Sequence, residues 1–135
     1  MRRWAVVTGA GTGIGKAVTE ALARGGVHVL AVGRRRDRLD EVAAAAPPGV
    51  VHPLEGDISK DEVMNDIVDA IPASDKLCYL IQNAAVGVPG RLADMKRDEF
   101  EYAMAVNVTA PLFLTQKLLP KLRVSNGRIL HLGTG

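Results

Sequence analysis

The sequence has few aromatic residues, a single cysteine and no long apolar run. Aromatic residues make up 4% of the 135 residues, which disfavours a surface that stacks single-stranded nucleic acid bases. Cys78 alone excludes a disulfide framework, and its place in the apolar run 77–81 predicts a free thiol in a reducing compartment, the cytoplasm. No apolar stretch approaches the length of a membrane span. The net charge of +2 is small, so we expect neither nucleic acid nor membrane as a partner.

Apolar strand patterns alternate with helical patterns along the chain. Predicted strands cover residues 4–7, 27–32, 50–54, 77–82 and 128–132. Apolar residues at helical spacing predict helices at 13–24, 36–46, 59–70 and 97–122, with Ser59 as the cap of the third. This order is typical of an α/β fold, a doubly wound parallel sheet with helices on both faces, in one domain over residues 1–135. Pro53 indicates an outer position for the third strand.

A glycine-rich segment follows the first strand, at residues 8–15. Ligands of such sheets bind outside the carboxyl ends of the strands, so residues just after each strand are the candidates for a site. Glycines let a diphosphate approach the backbone, and the next helix offers free N–H groups and the positive end of its dipole. A purely structural tight turn is the alternative. The position between a strand and an amphipathic helix favours phosphate binding.

The pattern Thr-Gly-x-x-x-Gly-x-Gly at residues 8–15 resembles the cofactor motif of the short-chain dehydrogenase/reductase family, in its typical-length branch. Later family landmarks follow in order, so the likeness covers the whole chain. It implies a Rossmann-like NAD(P)-binding domain of an oxidoreductase that moves a hydride between nicotinamide and a carbonyl or secondary alcohol. It also implies a set of cofactor-binding loop residues: Thr8, Gly9, Gly11, Thr12, Gly13, Ile14 and Gly15.

The residues after the second strand predict the choice of cofactor. Gly33 stands where NAD-preferring relatives carry Asp, a residue that accepts hydrogen bonds from the adenosine ribose. Arg34 follows it, and a guanidinium there can pair with a 2′-phosphate. The alternative is a solvated basic start of a helix, an interpretation that we apply to Arg36 and Arg38. The sequence therefore predicts that NADP (NADPH) is preferred over NAD.

Two further strand ends match the family pattern. By resemblance, Asp57 meets the adenine ring and Ile58 covers it, although Asp57 also suits an ordinary turn and both roles are compatible. Asn83 and Ala84 match the family's Asn-Asn-Ala-Gly, whereas the residues on either side of them depart from it. An asparagine at this place is expected to tie neighbouring strand ends together by side-chain hydrogen bonds.

Candidate catalytic residues lie in the last third of the chain. Asn107 lies beside the apolar stripe of the long helix, so we expect a partly buried amide, and Pro111 cannot donate to the Asn107 carbonyl. The matching asparagine of relatives holds a water that relays protons to the catalytic Lys, and a proline kink with a satisfied Asn is the alternative. Thr134 aligns with the family's catalytic Ser, and its hydroxyl can stabilise negative charge on a substrate oxygen.

The Tyr-x-x-x-Lys pair that supplies the family's acid is missing. Tyr79 is followed four residues later by Asn83 and Tyr102 by Val106, so we expect both tyrosines to be packing residues. We therefore expect an inactive fragment, truncated after the fifth strand, of an enzyme that acts on a small carbonyl or alcohol without a metal. The alternative is a non-catalytic NADP-binding or interaction module. Relatives use the long helix in a dimer interface, which implies a homo-oligomer for the full-length form.

Overall fold

The computed structural model describes residues 1–133 as parallel strands alternating with helices. The strands are β1 Arg3–Thr8, β2 His28–Gly33, β3 Val51–Glu55, β4 Lys76–Gln82 and β5 Arg128–His131. The helices are α1 Gly13–Arg24, α2 Arg36–Ala45, α3 Asp61–Ala70, α4 Arg97–Met104 and α5 Ala110–Ser125. A π-helical turn, Ala105–Thr109, joins α4 to α5, and a short 3₁₀ turn, Leu92–Asp94, precedes α4.

The five strands form one sheet in the order β3-β2-β1-β4-β5. Every pair of neighbours is parallel. The chain builds outward from β1 to β3 and then crosses to β4 on the other side of β1, so the order reverses between β1 and β4. That reversal is where the carboxyl ends of a doubly wound sheet leave a crevice for a ligand. The Rossmann-like fold and the outer position of β3 are confirmed.

Apolar side chains cover both faces of the sheet. On one face Trp4 and Val6 of β1 pack with α3, the π-helical turn and α5. On the other face Val7 packs with residues of α1 and α2, including Leu39. Because neighbouring residues of a strand point to opposite faces, the nearly continuous apolar strands supply both layers of the core. Helices on both faces are confirmed.

The helix predicted at 97–122 differs from the structure in its apolar face. The apolar residues at helical spacing that predict the buried stripe are Phe100, Met104, Val108, Leu112, Thr115 and Leu119. The first four are 41–62% exposed, and the last two are partly buried. A second apolar stripe faces the sheet instead: Ala103, Val106, Ala110, Leu114, Leu118 and Leu122. The segment is apolar on two sides, so periodicity alone did not decide which side is buried. The stripe that faces the sheet contains small alanines, which allow close helix–sheet packing.

The predicted cap of the third helix is also wrong. Lys60 precedes α3, and Ser59 bonds instead to Asp57, whose Oδ1 accepts the Ser59 N–H at 2.9 Å and its hydroxyl at 2.8 Å. Asp57 is therefore a turn residue, which is one of the two compatible roles predicted for it from the sequence. Within residues 1–133, no helix is both long and apolar enough to cross a bilayer.

Candidate cofactor-binding site

The carboxyl ends of β1 to β4 surround a cavity of about 300 Å³. That volume is at the lower end of small-molecule pockets, roughly 300–1,000 Å³. Most of the cofactor-binding residues predicted from the sequence line it: Thr8, Gly9, Gly11, Thr12, Arg34, Asp57, Ile58, Asn83 and Ala84. The structure thus brings together residues that lie up to 76 positions apart in the chain.

Thr8 and Asn83 line the cavity at the point where the strand order reverses, and their hydrogen bonds link the end of β1 to the end of β4. The Thr8 side chain is 1% exposed, and its hydroxyl accepts the backbone N–H groups of Asn83 and Ala84, both at 3.0 Å. The Asn83 side-chain amide donates to the Gly9 carbonyl at 3.0 Å. These bonds fix the glycine-rich loop to the end of β4. Asn83 makes the strand-end link that its position predicts, while its contact with a cofactor stays a prediction.

The glycine-rich loop needs glycine for two different reasons. Gly9 and Gly13 have φ values of +63° and +57°, in the left-handed region that side chains with a Cβ disfavour. Gly15 has no such constraint, but a Cβ there would overlap the Gly9 carbonyl oxygen and lie 2.5 Å from Asn83 Nδ2. With Ile14, which is 61% exposed, Gly13 and Gly15 form the first turn of α1 beside the cavity. The first N–H groups of a helix lack partners within it and can bind an anion.

A chain of side-chain hydrogen bonds crosses the cavity from β2 to α4 and back to β3. Arg34 Nη1 donates to the Tyr102 hydroxyl at 3.1 Å. That hydroxyl donates in turn to Asp57 Oδ2 at 2.8 Å. Tyr102 also packs against the core, as expected, but the expectation that it only packs is wrong. Tyr79 packs against the other face of the sheet.

Burial, hydrogen bonds and charges around Asp57 and Tyr102 shift the pKa values of both side chains. Partial burial acts to raise the pKa of Asp57, but the Ser59 N–H and hydroxyl, the Tyr102 hydroxyl and the Arg34 charge together lower it below its usual value. Burial raises the pKa of Tyr102, and the hydrogen bond to Asp57 and its negative charge raise it further, against an opposing effect of Arg34. Tyr102 therefore stays protonated at neutral pH and can donate to Asp57 while it accepts from Arg34.

Asn107 binds a loop of the cavity wall. Its Oδ1 accepts the Val86 N–H at 2.8 Å, and its Nδ2 donates to the Val86 carbonyl at 2.7 Å. Val86 lines the cavity. The expected partly buried amide is wrong, because Asn107 is exposed. Thr134, the other predicted catalytic residue, lies outside the described residues.

Sequence reasoning missed several residues of the cavity wall. Tyr102 and Val106 line it from the helical segment, and their spacing of four residues places both on one side of that segment. This four-residue spacing is the sequence feature that could have indicated that both side chains face the same site. Arg38 and Leu39 also line it, from the first turns of α2. Arg38 was interpreted only as a solvated charge.

The cavity wall offers several groups that can bind an anion. Arg38 Nε is buried and has no hydrogen-bond partner among the described residues, so the wall offers an unused donor close to Arg34. A Cβ built on Gly13 would meet no described atom within 4 Å, which leaves open space at the helix start. A free donor, a second guanidinium and an open helix N-terminus are the features that bind phosphate groups.

A family comparison identifies the chain. The family model for short chain dehydrogenases matches residues 3–134. The chain belongs to the short-chain dehydrogenase/reductase family. A glucose 1-dehydrogenase from Gluconobacter oxydans (strain 621H) is 37% identical over 118 residues, which are 84% of this chain and 44% of that protein. An uncharacterized oxidoreductase from Staphylococcus aureus (strain MRSA252) is 30% identical over 96% of this chain and 57% of its own length.

Solved structures share the same architecture. A short-chain dehydrogenase from Streptomyces avermitilis superposes with a TM-score of 0.88 at 26% identity, over 98% of this chain and 49% of that one. L-Sorbose reductase from Gluconobacter frateurii, complexed with NADPH and L-sorbose, gives a TM-score of 0.87 at 27% identity, over 96% and 51%. The chain spans about half the length of the relatives that it matches.

Proposed function

We propose that the chain is the NADP-binding part of an oxidoreductase that interconverts a carbonyl and a secondary alcohol. The observation that carries this proposal is Arg34 at the cavity wall, beside Gly33 in the place of an acidic ribose anchor. A guanidinium offers several donors to a 2′-phosphate, whereas no acidic residue accepts the ribose hydroxyls at that position. The NADPH complex of the related L-sorbose reductase supports the same cofactor.

In the proposed complex, each part of the cavity binds one part of the cofactor. The loop from Thr8 to Gly15 and the first turn of α1 bind the diphosphate, and Arg34 binds the 2′-phosphate. Asp57 and Ile58 border the adenine. Asn83 and Ala84 border the path from the diphosphate towards the nicotinamide. When bound, the nicotinamide would supply or accept the hydride, and the residues of this chain would bind and orient the cofactor.

Proton transfer is the part of the reaction that these 135 residues do not supply. Neither tyrosine is followed by Lys four residues later, and Tyr102 has a raised pKa and donates to Asp57. We propose that Asn107 and Thr134 contribute to the active site of the whole protein, Asn107 by holding Val86 and a proton-relay water and Thr134 by binding the substrate oxygen. We propose that the whole protein acts on a small carbonyl or alcohol. It would be a homo-oligomer and would be located in the cytoplasm.

The test separates binding from turnover. We expect the 135-residue chain to bind NADPH and to oxidise none of it in the presence of a panel of aldehydes and ketones, because positioned acid–base catalysis contributes about 10²–10⁴-fold. A chain extended by a Tyr-x-x-x-Lys segment should oxidise NADPH with at least one of these carbonyls. Substrate-dependent turnover by the 135-residue chain itself, abolished by Thr134→Val, would contradict the proposal.

A further inference from the structure

Among residues 1–133, the Arg34 side chain has one hydrogen-bond partner. Its Nη1 donates to Tyr102 at 3.1 Å. A guanidinium has five N–H donors in a rigid plane, so one bond at Nη1 orients the plane and leaves the edge formed by Nε and Nη2 for an anion. Two parallel donors are the arrangement that binds a phosphate in a bidentate manner.

The Tyr102 hydroxyl is itself held in place from the other side. It donates to Asp57 Oδ2 at 2.8 Å, and Ser59 fixes Asp57 through two bonds to Oδ1. A hydroxyl whose single proton is given to a carboxylate presents its lone pairs to Arg34. Asp57, in the turn after β3, thus holds Tyr102 of α4 in place. Tyr102 in turn holds Arg34, which follows β2.

We propose that Tyr102 is a specificity-determining positioning residue, which holds the Arg34 guanidinium in the orientation that receives a 2′-phosphate. This inference rests on the proposed NADPH binding. Arg34 is exposed, and an exposed arginine without this bond samples many rotamers, whose loss on binding opposes affinity. Tyr102 removes part of that cost before the cofactor arrives. NADH lacks the 2′-phosphate and gains little from it.

The test is the ratio of NADPH to NADH affinity in Tyr102→Phe, which keeps the ring and removes the hydroxyl. We expect NADPH affinity to fall about threefold to tenfold, with a much smaller change for NADH. Tyr79→Phe is the matched control and should leave the ratio unchanged. In the Arg34→Ala background, Tyr102→Phe should no longer change the ratio. An unchanged or increased preference for NADPH in Tyr102→Phe would overturn the inference.

A second measurement works without cofactor. In the Tyr79→Phe background Tyr102 is the remaining tyrosine, so alkaline titration of phenolate absorbance reports its pKa alone. Removing Arg34 should raise that pKa, because the Arg34 charge and hydrogen bond oppose the effect of Asp57. An unchanged pKa would show that Arg34 does not contact Tyr102 in solution and would overturn the inference. Equal binding of NADPH and NADH by the unmutated chain would instead refute the proposed function, whatever the titration gives.

Discussion

The buried Thr8 hydroxyl accepts the backbone N–H of Asn83 at 3.0 Å, across the point where the strand order of the sheet reverses. The same oxygen accepts the Ala84 N–H at 3.0 Å. One side-chain oxygen thus satisfies two N–H groups that follow the last residue of β4. Together with the Asn83 amide, which donates to the Gly9 carbonyl, this hydroxyl links the end of β1 to the end of β4 at the cavity.

Thr8→Val should therefore lower the stability of the fold. Valine has the shape of threonine but leaves both N–H groups without their acceptor, which costs about 1–3 kcal/mol for each group that stays buried. Urea unfolding measures the free energy of unfolding. Thr109→Val, at an exposed position of the π-helical turn, is the control and should change it by less than about 0.5 kcal/mol. Equal stabilities of the two variants would refute this role of Thr8.

Gly15→Ala tests the close approach of α1 to the glycine-rich loop. The added methyl would collide with the Gly9 carbonyl and the Asn83 amide, and overpacking of this kind costs about 1–3 kcal/mol. We expect a lower midpoint of urea unfolding together with weaker NADPH binding. Gly87→Ala is matched to it, since its Cβ would meet no described atom within 4 Å. The loop is misassigned if Gly15→Ala binds NADPH as tightly as Gly87→Ala does.

A histidine pair at the opposite end of the sheet predicts a pH dependence of stability. His28 Nδ1 and His52 Nε2 are 3.0 Å apart, and Trp4 packs on both rings. Burial, then the charges of His28 and Arg2, lower the pKa of His52 below 6.5. The unfolded chain therefore binds more protons than the folded one between these two pKa values. The contribution of His52 to the free energy of unfolding therefore rises with pH through that window. This contribution is lost as the pH falls below about 6.5.

Urea unfolding at about pH 5.5 and pH 7.5 measures this effect. We expect a smaller free energy of unfolding at the lower pH, and a smaller difference between the two pH values in His52→Gln. His131→Gln, on the exposed strand β5, serves as the control and should keep the pH dependence of the unmutated chain. A pH dependence that His52→Gln leaves intact would show that other groups cause it.

Local sequence patterns predicted the fold well because the strands and the glycine-rich loop are local signals. The apolar runs around Val6, Val29 and Leu80 fit buried parallel strands, and the order of strands and helices then restricts the topology. The buried face of the last helices could not be predicted in this way. Residues 97–125 carry two apolar stripes, and the small Ala103 and Ala110 distinguish the buried one.

The candidate site was predicted where each residue directly follows a strand. Arg34, Asp57 and Asn83 meet at one edge because the carboxyl ends of parallel strands meet there. Tyr102 could not be found by that rule, since it reaches the cavity from a helix, 45 residues beyond its partner Asp57. Its hydroxyl contact depends on how α4 packs, which no local pattern encodes.

Arg34→Ala tests the residue on which the cofactor preference rests. Without the guanidinium, the 2′-phosphate loses its charge-assisted hydrogen bonds, and we expect the preference for NADPH over NADH to fall about tenfold, ~1.4 kcal/mol. Arg36→Ala is the control, because Arg36 pairs with Asp40 at 2.9 Å on the exposed side of α2. Both variants can be titrated with the two cofactors by calorimetry. A similar loss in both variants would indicate general charge attraction rather than a specific contact.

Calorimetric titration of the unmutated chain with NADPH and with NADH is the most direct test of the proposed cofactor site. We predict that NADPH binds at least about tenfold more tightly, and that added salt weakens NADPH binding more than NADH binding, because exposed charge pairs are screened. Equal affinities for the two cofactors, or tighter binding of NADH, would contradict the assignment of Arg34 to a 2′-phosphate.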